Sequence, residues 1–166
     1  MWVAIGVFIN NVFFEKYIIP KDFRGSVYVI TDHEIGQDRK YDFCTRVYKV
    51  PNSGVLFTKF SQRQGLINRR KFYLEDDNGK LTELGELDYR NYIEKWVINP
   101  PKTEPSRDSL AVFTPDLDYD FDKERYYLAF TIGKYKDMEK WNYIPPERID
   151  SLRKLEHNNR LYIKQN

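Results

Sequence analysis

The sequence predicts a mainly β fold, with antiparallel sheets arranged as in a β-sandwich and one C-terminal helix; α+β is the alternative class. Three observations carry this expectation. Aromatic residues make up 16% of the 166 positions, including 13 Tyr and 11 Phe, and such side chains suit pleated, half-buried surfaces. Short runs of β-formers alternate with turn residues along much of the chain. Asn78-Gly79 stands between two strand-like runs, where a hairpin needs residues that accept positive φ.

A chain of 166 residues is long enough for one core that needs no disulfide. The single cysteine, Cys44, rules out an internal disulfide framework. Lys and Arg number 27 against 25 Asp and Glu, well mixed along the chain. A nucleic-acid partner calls for a strongly basic face, so none is expected.

Residues 1–14 are almost wholly apolar, from Trp2 to Phe14, broken by Asn10-Asn11. The run is too short to cross a bilayer, which takes about 20 residues. It has no basic leader or small-residue cleavage site. Two readings stand beside each other: the stump of an anchor that attaches the protein to a membrane, or the first element of the core. Residues 15–166 then form a single β-rich domain.

Taken in order, Tyr17-Ile18-Ile19 is stopped by Pro20, and Lys21 to Gly25 reads as a turn. Ser26–Thr31 is dense in β-formers and makes a strand, whereas residues 32–42 read as a polar loop. Thr45–Val50 alternates between two faces, Pro51-Asn52-Ser53-Gly54 turns, and Val55–Thr58 reads as the return strand. Lys71–Glu75 and Lys80–Leu84 flank Asp76-Asp77-Asn78-Gly79 as a hairpin. Three prolines make residues 99–109 an extended excursion. Leu110–Phe113 and Arg125–Ile132 read as further strands. The helix follows Pro145-Pro146, with Ile149, Leu152 and Leu155 on one face and Asn158-Asn159 as its stop. Leu161-Tyr162-Ile163 closes the chain as a last edge strand.

Three blocks in a fixed order carry a family resemblance. They are Tyr17-Ile18-Ile19-Pro20 running on to Phe23, Gly25 and Val27-Tyr28-Val29, then Arg46-Val47-Tyr48-Lys49-Val50-Pro51 with Gly54-Val55-Leu56, then the hairpin from Phe72 to Leu84. Over about residues 15–90 the chain resembles an uncharacterised bacterial family known only as a domain of unknown function. Its members often look like exported lipoproteins, so the resemblance implies a place in the cell envelope. It implies no activity and no catalytic residues. This chain departs from the pattern in having no lipobox cysteine.

Few residues are arranged for chemistry. Asp116, Asp118, Asp120 and Asp122 alternate, which places four carboxylates on one side of an extended segment, and oxygen-rich clusters suit Ca²⁺. The calcium-loop pattern nevertheless fails, with Phe121 at the sixth position and Tyr127 at the twelfth. A charged strand edge that discourages edge-to-edge pairing is the simpler account. Asp32-His33-Glu34 is the one place where a histidine stands between two carboxylates, but neighbours in sequence do not share a strand face. There is no nucleophile elbow and no phosphate loop. Arg69, Arg70, Lys71 and Tyr73 form a basic and aromatic run that serves as the candidate interaction surface, facing a protein or anionic headgroups.

These readings converge on a non-enzymatic β-rich binding module of the bacterial cell envelope. It would use no cofactor or metal, and its partner would be a protein or surface ligand. The alternative is a cytosolic immunity-type inhibitor that blocks a toxin. A small hydrolase built on His33 with Asp32 or Glu34 comes third.

Overall fold

β1 (Phe14–Pro20) and β2 (Gly25–Ile30) are consecutive in the chain but do not pair with each other. In the computed structural model, which describes residues 14–61, 70–87, 105–106, 108–120 and 125–140, with 114–120, 125–127 and 138–140 as backbone alone, the turn between them carries the chain across the core. Gly25 makes this corner with φ at 120°, a conformation that favours glycine. A second corner follows the same course. β3 (Lys40–Asp42) and β4 (Thr45–Lys49) form a hairpin, and the chain then turns through Gly54 (φ 75°) into β5 (Val55–Phe57).

The two corners stack. β1 pairs in parallel with β4 on one side of the core, and β2 pairs in parallel with β5 on the other. Between them, the Val50 amide donates to the Ile18 carbonyl and the Tyr28 amide to the Gly54 carbonyl, both at 2.8 Å. β6 (Arg70–Glu75) lies parallel to β1 on its other side, and β7 (Leu81–Leu87) returns antiparallel to β6. β8 (Ala111–Asp120) and β9 (Arg125–Gly133) complete the sheet, followed by a 3₁₀ helix at Tyr135–Lys140. The register of β8 against β9 shifts between Phe113 and Asp116, where Pro115 has no amide to give the ladder.

Among the described residues, the order β3-β4-β1-β6-β7-β8-β9-β2-β5 is one mixed, nine-stranded sheet, which curls so that its two ends face each other. The mainly β expectation therefore holds, but the arrangement as antiparallel, sandwich-like sheets does not. The pairs β1–β4, β1–β6, β2–β5 and β7–β8 are all parallel. Val55–Phe57 is not the return strand of β4, because the preceding turn is a corner that moves the chain out of reach of its predecessor. The expected loop over 32–42 contains β3. Phe14 belongs to β1, paired with Thr45. Residues 1–13, the helix after Pro145 and the edge strand at 161–163 lie outside the described residues.

The core gathers inward residues from both halves of the curl, among them Tyr17, Ile19, Val29, Leu56, Phe72 and Ile132. A smaller cluster of Leu87, Ala111 and Phe113, with Tyr135 against it, covers the other face of β7 and β8. From the proline-rich excursion, Pro105 comes to lie against Gly85.

The seam between β4 and β5 is held by the segment that precedes β3. The Gln37 amide donates to the Phe57 carbonyl at 2.6 Å. Its side chain accepts from the Lys49 amide at 3.1 Å and donates to the Lys49 carbonyl at 3.5 Å. Gln37 thus bonds both edges at once. Gly36 lets the backbone come this close, since a Cβ there would stand 2.5 Å from the Thr58 nitrogen. Neither side of that contact is a flexible side chain. Gly36→Ala is expected to lower unfolding free energy by about 2 kcal/mol or more, as overpacking does. Urea denaturation checks this, with Gly79→Ala, at an open turn of φ 77°, as a comparison expected to cost about 1 kcal/mol.

Candidate functional site

Parallel pairing in register places like positions of β1, β4 and β6 side by side, and three rows result. The first is Arg46, Glu15 and Arg70, the second Tyr48, Tyr17 and Phe72, and the third includes Ile19 and Leu74. The interior therefore grades from charged to aromatic to aliphatic along the strands. Glu15 is buried, accepts from the Tyr17 hydroxyl at 2.9 Å and the Tyr48 hydroxyl at 3.3 Å, and lies 3.5 Å from Arg70 Nε. Burial, and then the Glu15 charge, raise both phenols well above the usual tyrosine range, while Arg46 and Arg70 act in the opposite direction.

This row divides the surface expected at 69–73. The Arg70 side chain is 12% exposed and belongs to the interior. Lys71 and Tyr73 stand on the outer face, where both meet Glu83, at 3.1 Å and 3.3 Å, and Lys16 lies 5.4 Å over the Tyr73 ring. Alternation along a strand forces the split, since Arg70 and Lys71 cannot point the same way. Arg69 lies outside the described residues, as does Asp122. Asp116, Asp118 and Asp120 fall at alternate positions of β8, opposite Ala129, Tyr127 and Arg125.

His33 is buried, its ring 4.7 Å from that of Phe57 and its amide donating to the Thr58 carbonyl at 3.0 Å. Asp32 and Glu34 are exposed on either side. Cys44 is a half-buried free thiol in the β3–β4 turn.

That turn holds the surface feature that sequence reasoning missed. Phe43 has φ at 52° and is 96% exposed; Tyr41 beside it is 52% exposed. A bulky side chain in the left-handed region costs about 1–2 kcal/mol, and Phe43 gains no burial in return. The base of the hairpin is firmly held. Tyr41 meets the Phe60 ring edge-on at 5.2 Å, the Arg46 guanidinium lies 4.9 Å from the same ring, and Arg46 donates to the Ser61 carbonyl at 2.7 Å. On the other side Asp42 pairs with Lys16 at 3.5 Å. A fixed base thus presents a strained, solvent-facing aromatic tip, and such outliers concentrate where contact is made. The signal in the sequence was Phe where a two-residue turn favours Gly or Asn.

Residues 14–104 match DUF6843, a family of unknown function. No curated protein matches the chain. A crystal structure of a Bacillus anthracis protein, provisionally named a lipoprotein, superposes with a TM-score of 0.50 at 12% identity, over 88% of this chain and 93% of the other. That likeness is one of fold.

Two outcomes follow from the interior rows. Arg70→Met strands the buried Glu15 charge and is expected to cost about 3 kcal/mol, whereas Lys71→Met on the solvated face leaves denaturant stability close to wild type; equal losses would contradict the assignment of Arg70 to the interior. Because the folded state holds Tyr17 and Tyr48 protonated above their ordinary value of 10.0, their contribution is complete below that pH. It falls as pH rises, by about 1.4 kcal/mol per pH unit for each phenol. Denaturation midpoints from pH 8 to 11 should drop more steeply in wild type than in the Tyr17→Phe, Tyr48→Phe double variant.

Proposed function

The chain belongs to the DUF6843 family, and from that premise we propose that it is a non-enzymatic β-rich binding module of the bacterial cell envelope, contacting a protein or surface ligand through the β3–β4 hairpin. The observation that carries the reading is Phe43, a strained and almost fully exposed aromatic on a hairpin whose base is fixed by Tyr41, Phe60 and Arg46. Aromatic side chains supply large contact area at low entropic cost, and they dominate recognition surfaces. Support for the envelope comes from the lipoprotein name of the Bacillus anthracis protein of like fold and from the apolar character of residues 1–14, read as a membrane attachment.

A photo-crosslinking residue at position 43 in the native host tests the reading, with the same residue at exposed Thr82 as control. The expected result is fractionation with the envelope and a crosslinked product from position 43 alone. Phe43→Asn is expected to abolish that contact while raising stability by about 0.5 kcal/mol, because Asn tolerates the left-handed region. A cytosolic protein, or equal crosslinking from both positions, overturns the proposal; a cytosolic protein that still crosslinks through position 43 points to the inhibitor reading instead.

A further inference from the structure

Where β4 and β5 approach each other across Gln37, the outer surface is hollowed into a cleft of about 500 Å³. Its deepest lining is apolar and buried: Val47 from β4, with Val55 and Phe57 from β5. Arg39, Lys40 and Lys49 stand around it. Among the described residues, the lysines on neighbouring surfaces hold carboxylates. Lys16 pairs with Asp42, Lys21 with Asp77, Lys49 with Glu75, Lys59 with Asp38 and Lys71 with Glu83.

Arg39 and Lys40 differ. The one acid lining the cleft, Asp38, is taken by Lys59 at 2.6 Å. Among the described residues, Lys40 makes no ion pair with a carboxylate, and Arg39 bonds through Nε to the Lys59 carbonyl at 2.9 Å. That bond engages Nε and not the two terminal nitrogens of the guanidinium. Two adjacent cations with no carboxylate partner among the described residues therefore border an apolar floor, in a hollow of the size that holds small ligands. Arg offers a planar fork and Lys a point charge, a combination suited to the oxygens of a phosphate.

We propose that the seam cleft binds a phosphate ester carrying an apolar substituent, the phosphate held between Arg39 and Lys40 and the substituent laid over Val47, Val55 and Phe57. The ester is either a free solute or the headgroup region of an anionic lipid; the chemistry is shared. Phe43 takes no part, so the site stands apart from the hairpin contact.

Titration of the full chain with hexyl phosphate, followed by calorimetry and by amide NMR shifts, tests the site. Hexyl phosphate is expected to bind saturably and at least tenfold more tightly than inorganic phosphate, with shifts concentrated at residues 38–40, 47 and 55. Arg39→Gln with Lys40→Glu should weaken binding tenfold or more. Lys80→Glu, which removes an exposed cation at the β6–β7 turn, should leave it unchanged. Co-sedimentation with phosphatidylglycerol vesicles, against phosphatidylcholine alone, separates the sources: loss of vesicle binding in the double variant assigns the lipid, and binding of hexyl phosphate without vesicle binding assigns the free solute. Either upholds the proposal. No saturable binding to either probe, hexyl phosphate no tighter than phosphate, shifts elsewhere in the chain, or an equal loss in Lys80→Glu overturns it, and the wild-type titration decides even where a variant fails to fold.

Discussion

Tyr17 lies between Tyr48 and Phe72, with ring centroids at 4.7 Å and 5.2 Å and nearly parallel planes, and its edge meets Phe130 from the far half of the sheet at 5.5 Å. Each such aromatic pair adds about 0.5–1.5 kcal/mol beyond the area it buries. The arrangement exists only because β1 runs parallel to both neighbours in a register that sets 17 against 48 and 72. A slip of one residue would turn every inward ring to solvent and bring the outward residues Lys16, Val47 and Lys71 into the core. The same register fixes the charged row at one end of the strands. Glu15 is tolerable inside because two phenols donate to it and Arg70 stands beside it.

The curl of the sheet follows from the two stacked corners. Neither β1–β2 nor β4–β5 can form a hairpin, because each turn carries the chain over the core instead of back beside itself. With β1 held against β4 and β2 against β5, the corners must stack as well, and the residual gap is the seam that Gln37 bonds across. The cleft lies along this seam, lined in part by Lys40 of β3 and Val47 and Lys49 of β4. The seam is thus the place where the fold does not close by strand pairing alone.

Most strands were legible in the sequence, since β-branched and aromatic runs between turn residues announce themselves locally. The Asp76 to Gly79 turn was legible too, although it is a five-residue loop in which Asp76 Oδ1 accepts from the Asn78 and Lys80 amides, and only Gly79 has positive φ. Pairing was not legible. Alternation in Thr45–Val50 names two faces, but it does not say that β4 lies beside β1 and not β5, a choice made by residues far apart in the chain. Arg70 shows the same limit: beside Arg69 and Lys71 it reads as surface charge, and only the position of Glu15 on a strand 55 residues earlier reveals it as interior. β3 was hidden because Lys40, Tyr41 and Asp42 are all exposed and carry no apolar pattern. Phe43 escaped notice because its importance lies in a backbone angle, not in its neighbours.

The placing of β1 has a mechanical consequence. β1 is gripped on both flanks by parallel partners, along Phe14–Ile18 against β4 and Glu15–Pro20 against β6. A pull applied at Phe14 along the strand axis loads both ladders in shear, so that they must yield together. Pulling on an edge hairpin such as β3–β4 would instead unzip one bond at a time. Tension applied at the amino-terminal end of β1 would therefore be resisted by two parallel ladders at once, and through β4 it would reach the hairpin and the seam.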